Sequence, residues 1–309
     1  MTNKLTNEYE MLMNAKKGKY GVGHFNFSSI EIMRAIVDAS AECKSPVILA
    51  LSEGGLKYAE PHYIKYIVNG ILEMTDAPVA LHLDHGKTYE AVTNVIDLGF
   101  NSVMIDGSSL PYAENIAITK KVVDYAHKRG VVVEGELGVL AGVEDDVSSD
   151  THHYTDPEQA LDFVKKTGVD SLAIAIGTSH GAYKFNGDAK LRIDILQAIN
   201  SLLPDTPLVL HGASSVPQEY VQIINQFGGD IQGAKGVPPE MIALACANGI
   251  SKVNCDTDLR MVFTATIRKF LAENPTIFDP RKYLQASKDA MREFVKDKMT
   301  NVLHSNNKA

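Results

Sequence analysis

The sequence has 309 residues, of which 45% are apolar and 22% are charged, so it supports a large core and excludes an extensively disordered chain. Its net charge of −8 argues against nucleic acid or a polyanionic surface as a partner. No run approaches the roughly 20 apolar residues of a membrane span, so we expect no membrane partner.

The N-terminal segment and the cysteines indicate the cellular compartment of the protein. Residues 1–19 are polar and charged without an apolar core, which is unlike a signal peptide or a membrane anchor. Cys43, Cys246 and Cys255 are odd in number and widely spaced, as is typical of a reducing environment. We therefore predict a cytoplasmic protein.

Short apolar or β-branched runs alternate with longer stretches of helical periodicity along the chain. Strands are predicted at 21–27, 46–51, 79–85, 102–107, 131–137, 171–177, 208–212 and 250–256. Most of these runs are continuously apolar, as expected for strands of a parallel sheet that is covered on both faces.

Capping signals and apolar stripes predict the helices between the strands. Ser28 and Glu31 form a candidate capping box before a stripe that begins at Ile30. Asp156 is the predicted N-cap of a later helix, with Gln159 at the capping-box position. The other helices are predicted at 61–74, 88–98, 112–129, 190–202, 217–227, 239–248, 259–272 and 281–302.

Strict alternation of strands and helices leaves two architectures, an open doubly wound sheet and a closed barrel. In an open sheet, ligand-binding groups gather at one switch point. Here polar groups follow strands three to eight, and these converge only if the sheet closes. The sequence therefore predicts a (β/α)8 TIM barrel with extra C-terminal helices, in which residues 1–309 form a single domain.

Three predicted strand ends carry a histidine followed directly by glycine. These histidines are His85, His180 and His211. One such histidine would be interpreted as a hydrogen-bonded surface residue, but three histidines with an open fourth position describe a catalytic zinc site.

Carboxylates accompany these histidines. Asp84 precedes His85, and Asp106 and Glu136 lie at the ends of strands four and five. The latter two acids could orient the histidines, hold the metal in an alternative position, or form ordinary ion pairs. His82 shares a strand face with Asp84 and could orient a ligand, although a packed histidine is the favoured interpretation.

Two loops after strands are longer than usual. The loop 138–155 contains glycines and acids, including Glu144, and is interpreted either as a lid with a catalytic carboxylate or as a solvated acidic loop. The loop 178–189 carries His180, Gly181 and Lys184.

A phosphate site is suggested by the segments after strands seven and eight, where barrel enzymes often bind phosphate through backbone N–H groups. These segments are 212–215 (GASS) and 254–258 (NCDTD), and Lys184 and Ser214 could complete the cradle. Turn-forming Gly and Ser are also common where no ligand binds, so the signal depends on the adjacent metal triad.

Six motifs occur in one order along nearly the whole chain: GHFNF (23–27), HLDHG (82–86), EGELG (134–138), GTSHG (177–181), HGAS (211–214) and KVNCDTDLR (252–260). With these motifs the chain resembles the class II, metal-dependent fructose-1,6-bisphosphate aldolases. It is most similar to the shorter subgroup that also contains tagatose-bisphosphate aldolases.

The resemblance implies roles for residues at these motifs. Zn²⁺ is expected on His85, His180 and His211, with Asp84 as the acid–base group and Asn254 orienting the enediolate. Glycines and Ser214 are expected to hold the dihydroxyacetone phosphate end, in some members beside a monovalent cation, Na⁺ or K⁺. Ser52 and, from a neighbouring subunit, Arg260 are expected at the other phosphate, because family members are homodimers or homotetramers. The substrate-binding residues predicted on this basis are Asn26, Ser52, Gly181, Lys184, Gly212, Ser214, Asp256, Thr257 and Arg260.

The expected reaction is the reversible cleavage of fructose 1,6-bisphosphate to dihydroxyacetone phosphate and glyceraldehyde 3-phosphate. Breaking C3–C4 leaves negative charge that a divalent metal stabilises as a Lewis acid. Asp84 would take the C4 hydroxyl proton, and Glu144 on the lid would protonate C3. Asp256 would favour the fructose over the tagatose epimer, unless it merely caps the following helix.

The residues disfavour one alternative mechanism, and two rival functions stay open. A Schiff-base aldolase would need a desolvated lysine, but Lys252, the only lysine in the predicted strands, lies near the wrong end of its strand. A metal-dependent hydrolase on the same barrel would not require two phosphate cradles. A non-catalytic metal- or phosphate-binding protein would not need the acid–base group Asp84.

Overall fold

Eight parallel strands close into a barrel in the computed structural model, which describes residues 4–139, 141–144, 147–149, 153–181 and 190–309. Only the backbone is described for 141–144, 147–149 and 180. The strands in chain order are β1 Val22–Asn26, β2 Val47–Ser52, β3 Val79–Gly86, β4 Ser102–Ile105, β5 Val132–Leu137, β6 Ala141–Glu144, β7 Val147–Ser149, β8 Ser171–Ile174, β9 Ser179–His180, β10 Leu208–Leu210 and β11 Ile250–Cys255. The barrel order is β1-β11-β10-β8-β5-β4-β3-β2, so the predicted closed sheet and its eight strands are confirmed.

Helices surround this barrel. They are α1 Glu8–Gly18, α2 Ile30–Cys43, α3 Glu53–Ala59, α4 Pro61–Glu73, α5 Tyr89–Leu98, α6 Tyr112–Ala126, α7 Pro157–Thr167, α8 Ile193–Leu202, α9 Gln218–Gln226, α10 Pro239–Ala247, α11 Thr257–Glu273 and α12 Pro280–Asp297. A 3-10 turn extends α6, and a π-helix, Lys298–Val302, follows α12. The extra C-terminal helix α12 packs against α2 and α11.

Two helices were not predicted, and one N-cap differs. Helix α1 buries Met11 and Leu12 in a small cluster with β1, β2 and β3, and α3 follows β2 directly. Helix α2 is capped by Ser29, whose hydroxyl accepts from the Ile32 N–H at 3.3 Å, so the expected Ser28 cap is wrong. Ile30 is half exposed and lies outside the buried stripe of α2.

The capping prediction for α7 is confirmed. Asp156 accepts from the Gln159 N–H at 2.9 Å, which satisfies one of the amides that a helix start leaves without an intrahelical partner. Pro157 occupies the first turn, where its missing N–H costs no hydrogen bond.

The predicted lid loop contains a small sheet of its own. Strands β6 and β7 pair in antiparallel orientation, and β6 also pairs in parallel with β9, with Gly142 opposite His180. The backbone carrying Glu144 is therefore joined to the backbone carrying His180.

All three cysteines are buried free thiols. Burial raises the pKa of the Cys246 thiol to about 12, so it stays protonated at neutral pH. Within the described ranges, no helix combines the length and the apolar character needed to cross a membrane.

Candidate metal centre and active site

The end of β3 presents two consecutive side chains to one region. Neighbouring residues of a regular strand face opposite sides of the sheet. Here the register with β4 shifts between Leu83 and Gly86, and His85 has φ +49°, which is uncommon for a residue with a Cβ. This irregularity lets the His85 imidazole lie at the barrel mouth together with Asp84.

Two of the three predicted metal-binding histidines face each other. His85 Nε2 lies 3.0 Å from His211 Nδ1. The other nitrogen of each ring is held by a carboxylate, because His85 Nδ1 lies 2.8 Å from Asp106 Oδ2 and His211 Nε2 lies 2.7 Å from Glu134 Oε1. Carboxylates that accept the outer N–H groups leave lone pairs on the inner nitrogens, which is the tautomer that a metal requires.

The charge of the cluster also fits a divalent metal. Ligand atoms of Asp84, His85 and His211 lie within 4.8 Å of one another, and so do those of His85, Asp106 and Glu136. Glu136 Oε2 is buried and has no hydrogen-bond partner among the described residues. Burial and the neighbouring Asp106 raise the pKa of Glu136 well above its ordinary value, as expected where carboxylates outnumber cations. A divalent ion would supply the missing positive charge.

Asp84 is buried between two amides. Its Oδ2 accepts from Asn26 Nδ2 at 2.8 Å, and its Oδ1 accepts from Asn254 Nδ2 at 3.2 Å. Burial alone would raise the pKa of Asp84, but positive charge at His85 and His211, from ring protons or from a metal held by these rings, and the Asn26 hydrogen bond lower it below its ordinary value. Asp84 is therefore ionised at neutral pH and can accept a proton.

A buried charged network beneath this cluster was not predicted. Lys252 Nζ lies 2.6 Å from Glu134 Oε2, 3.1 Å from His82 Nε2 and 3.7 Å from Glu8 Oε1. Burial would lower the pKa of Lys252, but Glu134 and Glu8 raise it above its ordinary value. A lysine held in its charged form is unsuited to Schiff-base chemistry, which needs a neutral amine. Lys252 instead neutralises Glu134, which in turn fixes the His211 ring.

A period-two signal could have indicated this network. Glu134 lies two residues before Glu136 on β5, and Lys252 lies two residues before Asn254 on β11, so each pair shares a strand face. His82, two residues before Asp84, is packed in the network, with its Nδ1 2.7 Å from Ser102 Oγ.

The segment after β10 is a tight turn against β9. Gly212 has φ +61°, and a Cβ there would lie 2.6 Å from the Ser179 carbonyl oxygen, so a side chain is excluded. Ser214 is buried nearby. The Ser215 N–H, expected to face a phosphate, instead donates to Asp258 Oδ2 at 2.9 Å. The proposed cradle is therefore limited to residues 212–214.

A cavity of about 430 Å³ opens at the mouth beside these groups, and its lining includes Asn26, Ser52, Asp256 and Arg260. Arg260 Nε donates to Asp256 Oδ1 at 2.9 Å. Asp256 makes no side-chain capping hydrogen bond to α11, so the cap alternative is wrong. Ser52 Oγ accepts from the Gly55 N–H at 3.1 Å at the start of α3, and Thr257 is the first residue of α11.

A larger cavity of about 900 Å³ lies between α9 and α12 and contacts Ser215, Tyr220, Phe294 and Lys298. Apart from Ser215 of the predicted phosphate segment, none of the predicted site residues that the structure describes lines it. The titratable cluster is at the mouth, so we place the active site there despite the smaller volume.

Three predicted site residues are incompletely described. Lys184 lies outside the described residues. Glu144 and His180 are described only by their backbone, and the roles of their side chains stay predictions. Gly181 follows β9 with φ +79°.

A closed barrel with histidines and carboxylates gathered at its C-terminal mouth defines a metal-dependent barrel enzyme. The sequence model described as "Fructose-bisphosphate aldolase class-II" matches residues 6–308. The chain therefore belongs to the class II fructose-bisphosphate aldolase family, and it is a metal-dependent carbon–carbon lyase that cleaves fructose 1,6-bisphosphate reversibly.

Individual relatives span nearly the whole chain. A fructose-bisphosphate aldolase of Treponema pallidum is 46% identical over 99% of this chain and 98% of its own. A fructose-bisphosphate aldolase of Thermus caldophilus is 49% identical over 94% of this chain and 95% of its own. The crystal structure of the YdjI aldolase from Escherichia coli K12 superposes with a TM-score of 0.81 at 30% identity over 99% of both chains. The resemblance seen in the motifs is confirmed.

Proposed function

We propose that the barrel mouth cleaves fructose 1,6-bisphosphate with Asp84 as the acid–base group and with a zinc ion on His85, His180 and His211. The observation that carries the proposal is the pair His85 and His211, whose facing nitrogens lie 3.0 Å apart beside the ionised Asp84. Imidazole and carboxylate groups are ligands that zinc takes in catalytic sites. When bound, the ion supplies Lewis-acid stabilisation of the negative charge that develops on substrate oxygens.

In the cleavage direction, Asp84 accepts the C4 hydroxyl proton as the C3–C4 bond breaks and the electron pair moves to C3. Asn26 and Asn254 hold the carboxylate in place from two sides. The buried Asn254 Oδ1 has no hydrogen-bond partner in the described part of the chain, which supports a contact with a substrate hydroxyl. Glu144, on the strand β6 that pairs with β9, then protonates C3 to give dihydroxyacetone phosphate.

The two phosphates are assigned to opposite sides of the mouth. Residues that hold the dihydroxyacetone phosphate end are Gly181, Lys184, Gly212 and Ser214, with a monovalent cation nearby. The other phosphate is assigned to the smaller cavity, which Asn26 and Ser52 line, with Arg260 supplied by a neighbouring subunit. Thr257 is proposed as a further substrate-binding residue. Gly212 supports this assignment, because its missing side chain lets the turn after β10 pack directly on the backbone of Ser179, close to Gly181.

Assembly as a homodimer or homotetramer is part of the proposal. The Arg260 side chain is 54% exposed at the cavity rim, which supports its reaching the phosphate of a neighbouring subunit. The three buried free thiols support a reducing, cytoplasmic location.

Release of triose phosphate from fructose 1,6-bisphosphate, measured with and without a chelator, tests the proposed function. We expect cleavage in the metal-loaded enzyme, loss of activity after exhaustive chelation, and recovery when zinc is added. Release of inorganic phosphate without triose phosphate would instead identify a metal-dependent hydrolase.

Asp256→Ala is expected to reduce the preference for fructose over tagatose 1,6-bisphosphate by about 10²-fold, mainly through loss of fructose-bisphosphate cleavage. The epimers differ at C4, and a carboxylate that bonds one epimer's hydroxyl is left desolvated and unpaired with the other. Comparison of kcat/KM for both substrates measures the effect.

Asp194→Ala is a matched control for this experiment, because it breaks another aspartate–arginine pair, with Arg192 at the start of α8. It should leave the ratio unchanged. An unchanged ratio in Asp256→Ala as well would mean that Asp256 only anchors Arg260.

A further inference from the structure

One buried carboxylate, that of Asp258, accepts hydrogen bonds from the end of the loop that follows β10. Asp258, the second residue of α11, is fully buried. Its Oδ1 accepts from the Val216 N–H at 2.7 Å, and its Oδ2 accepts from the Ser215 N–H at 2.9 Å and from Cys255 Sγ at 3.2 Å. Because Asp258 has no exposed surface, it acts on a ligand only through the loop that it holds.

Lys298 completes this attachment. Its Nζ lies 2.8 Å from Asp258 Oδ2 and donates to Ser215 Oγ at 2.8 Å. Burial would raise the pKa of Asp258, but Lys298 and the loop amides lower it, so the pair is ionic. The pair therefore binds both the backbone and the side chain of Ser215.

The loop needs such an attachment because Val216 is strained. It has φ +50°, a left-handed conformation that is unfavourable for a β-branched residue. Residues in such conformations persist when surrounding contacts over-determine them, and they concentrate at ligand-binding sites. The hydrogen bonds from the Ser215 and Val216 N–H groups to Asp258 are contacts of this kind.

We infer that Asp258 and Lys298 are positioning residues: by holding Ser215 and Val216, they preorganise the preceding residues 212–214 for the phosphate of dihydroxyacetone phosphate. The inference rests on the proposed role of that loop. Preorganised donors bind a ligand without a reorganisation cost, so loss of the attachment should weaken binding at this phosphate alone. The other proposed phosphate site takes Ser52 from the end of β2, and Arg260, although it lies two residues after Asp258 on α11, has its side chain bonded to Asp256.

The test compares the binding of the two triose phosphates by calorimetry, each added alone to the metal-loaded enzyme. In Asp258→Asn, the amide nitrogen introduced faces one of the two loop N–H groups, which then loses its acceptor. We expect the Kd of dihydroxyacetone phosphate to rise by about 10- to 100-fold, while the Kd of glyceraldehyde 3-phosphate changes less than about twofold. The KM for fructose 1,6-bisphosphate should rise more than kcat falls.

Asp258→Asn leaves the buried Lys298 without its counter-charge, and this variant could fail to fold for that reason. The double variant Asp258→Asn/Lys298→Met removes both charges, so the same binding measurements are made on it in that case. Lys288→Met is the matched control. Lys288 is a buried lysine of α12 whose Nζ lies 3.5 Å from Asp38, away from the loop. It should leave both dissociation constants unchanged.

The outcomes separate the inference from the proposed function. If the unsubstituted enzyme releases no triose phosphate from fructose 1,6-bisphosphate, the proposed function fails. If that enzyme is active but both triose phosphates weaken equally in the double variant, or neither weakens, Asp258 and Lys298 are merely structural and the inference is overturned.

Discussion

Replacement of His211 by alanine is expected to reduce the cleavage of fructose 1,6-bisphosphate by at least about 10³-fold, because Lewis-acid stabilisation contributes several kcal/mol and about 1.4 kcal/mol corresponds to tenfold in rate. His85→Ala should have the same effect. Each histidine presents one nitrogen to the cluster, and the remaining ligands cannot hold the ion in the required geometry. Steady-state kinetics and the metal content after dialysis measure the result.

His127→Ala provides the control for these substitutions. His127 Nε2 lies 2.8 Å from Asp170 on the outside of the barrel, so its loss removes an imidazole without touching the cluster. It should leave metal content and turnover unchanged. Full activity of His211→Ala in a sample shown to lack metal would contradict the assignment of the metal centre.

The barrel was predictable because its signals are local. The strand of residues 79–85 is an apolar run that ends in Asp84 and His85, and the other strands repeat this pattern. Parallel strands that each end in polar residues place those residues at one edge, and closure brings them to one mouth. That His85 and His211 lie at the same mouth follows from this arrangement, whereas the facing of their rings does not.

The N-terminal helix α1 was not predictable in the same way. Its buried side chains are few, and they pack on Val22, Ile48 and Ala80, a surface that exists only when three strands are assembled. Glu8 starts this helix and is fully buried near Lys252 and His82. An acidic first-turn residue is usually explained by the helix dipole, so the sequence gives no reason to expect it inside a barrel.

The contact between Glu134 and Lys252, which holds the carboxylate that orients His211, was not predicted for a related reason. Glu134 and Lys252 lie on β5 and β11, which are not neighbours in the sheet. Their 2.6 Å contact crosses the barrel interior, and its existence depends on barrel closure and strand stagger. Strand alternation places both side chains inside the barrel, but it does not predict that they meet.

The bulge at His85 shows a limit of the alternation rule itself. A regular strand would direct Asp84 and His85 to opposite faces, so the sequence alone could not explain how both contribute to one site. The positive φ of His85 and the register shift against β4 resolve this conflict. Such an unfavourable backbone at a ligand position is where local propensity is expected to fail, because function and packing impose it.

Asp84→Ala is expected to lower kcat by about 10²- to 10⁴-fold, the usual loss for a removed general acid–base, with the metal content unchanged. Asp84 lies beside the histidines, but the carboxylates that hold their outer nitrogens are Asp106 and Glu134. Removal of Asp84 should therefore leave both rings in place.

Asp106→Asn is the informative comparison, because it removes the carboxylate that orients His85 while keeping Asp84. It should lower metal affinity by about 10- to 100-fold, and its turnover should recover when metal is supplied in excess. Activity titrated against metal concentration in both variants separates the two roles. If Asp84→Ala loses its metal as Asp106→Asn does and regains activity at high metal concentration, Asp84 is a metal ligand and another group must accept the C4 hydroxyl proton.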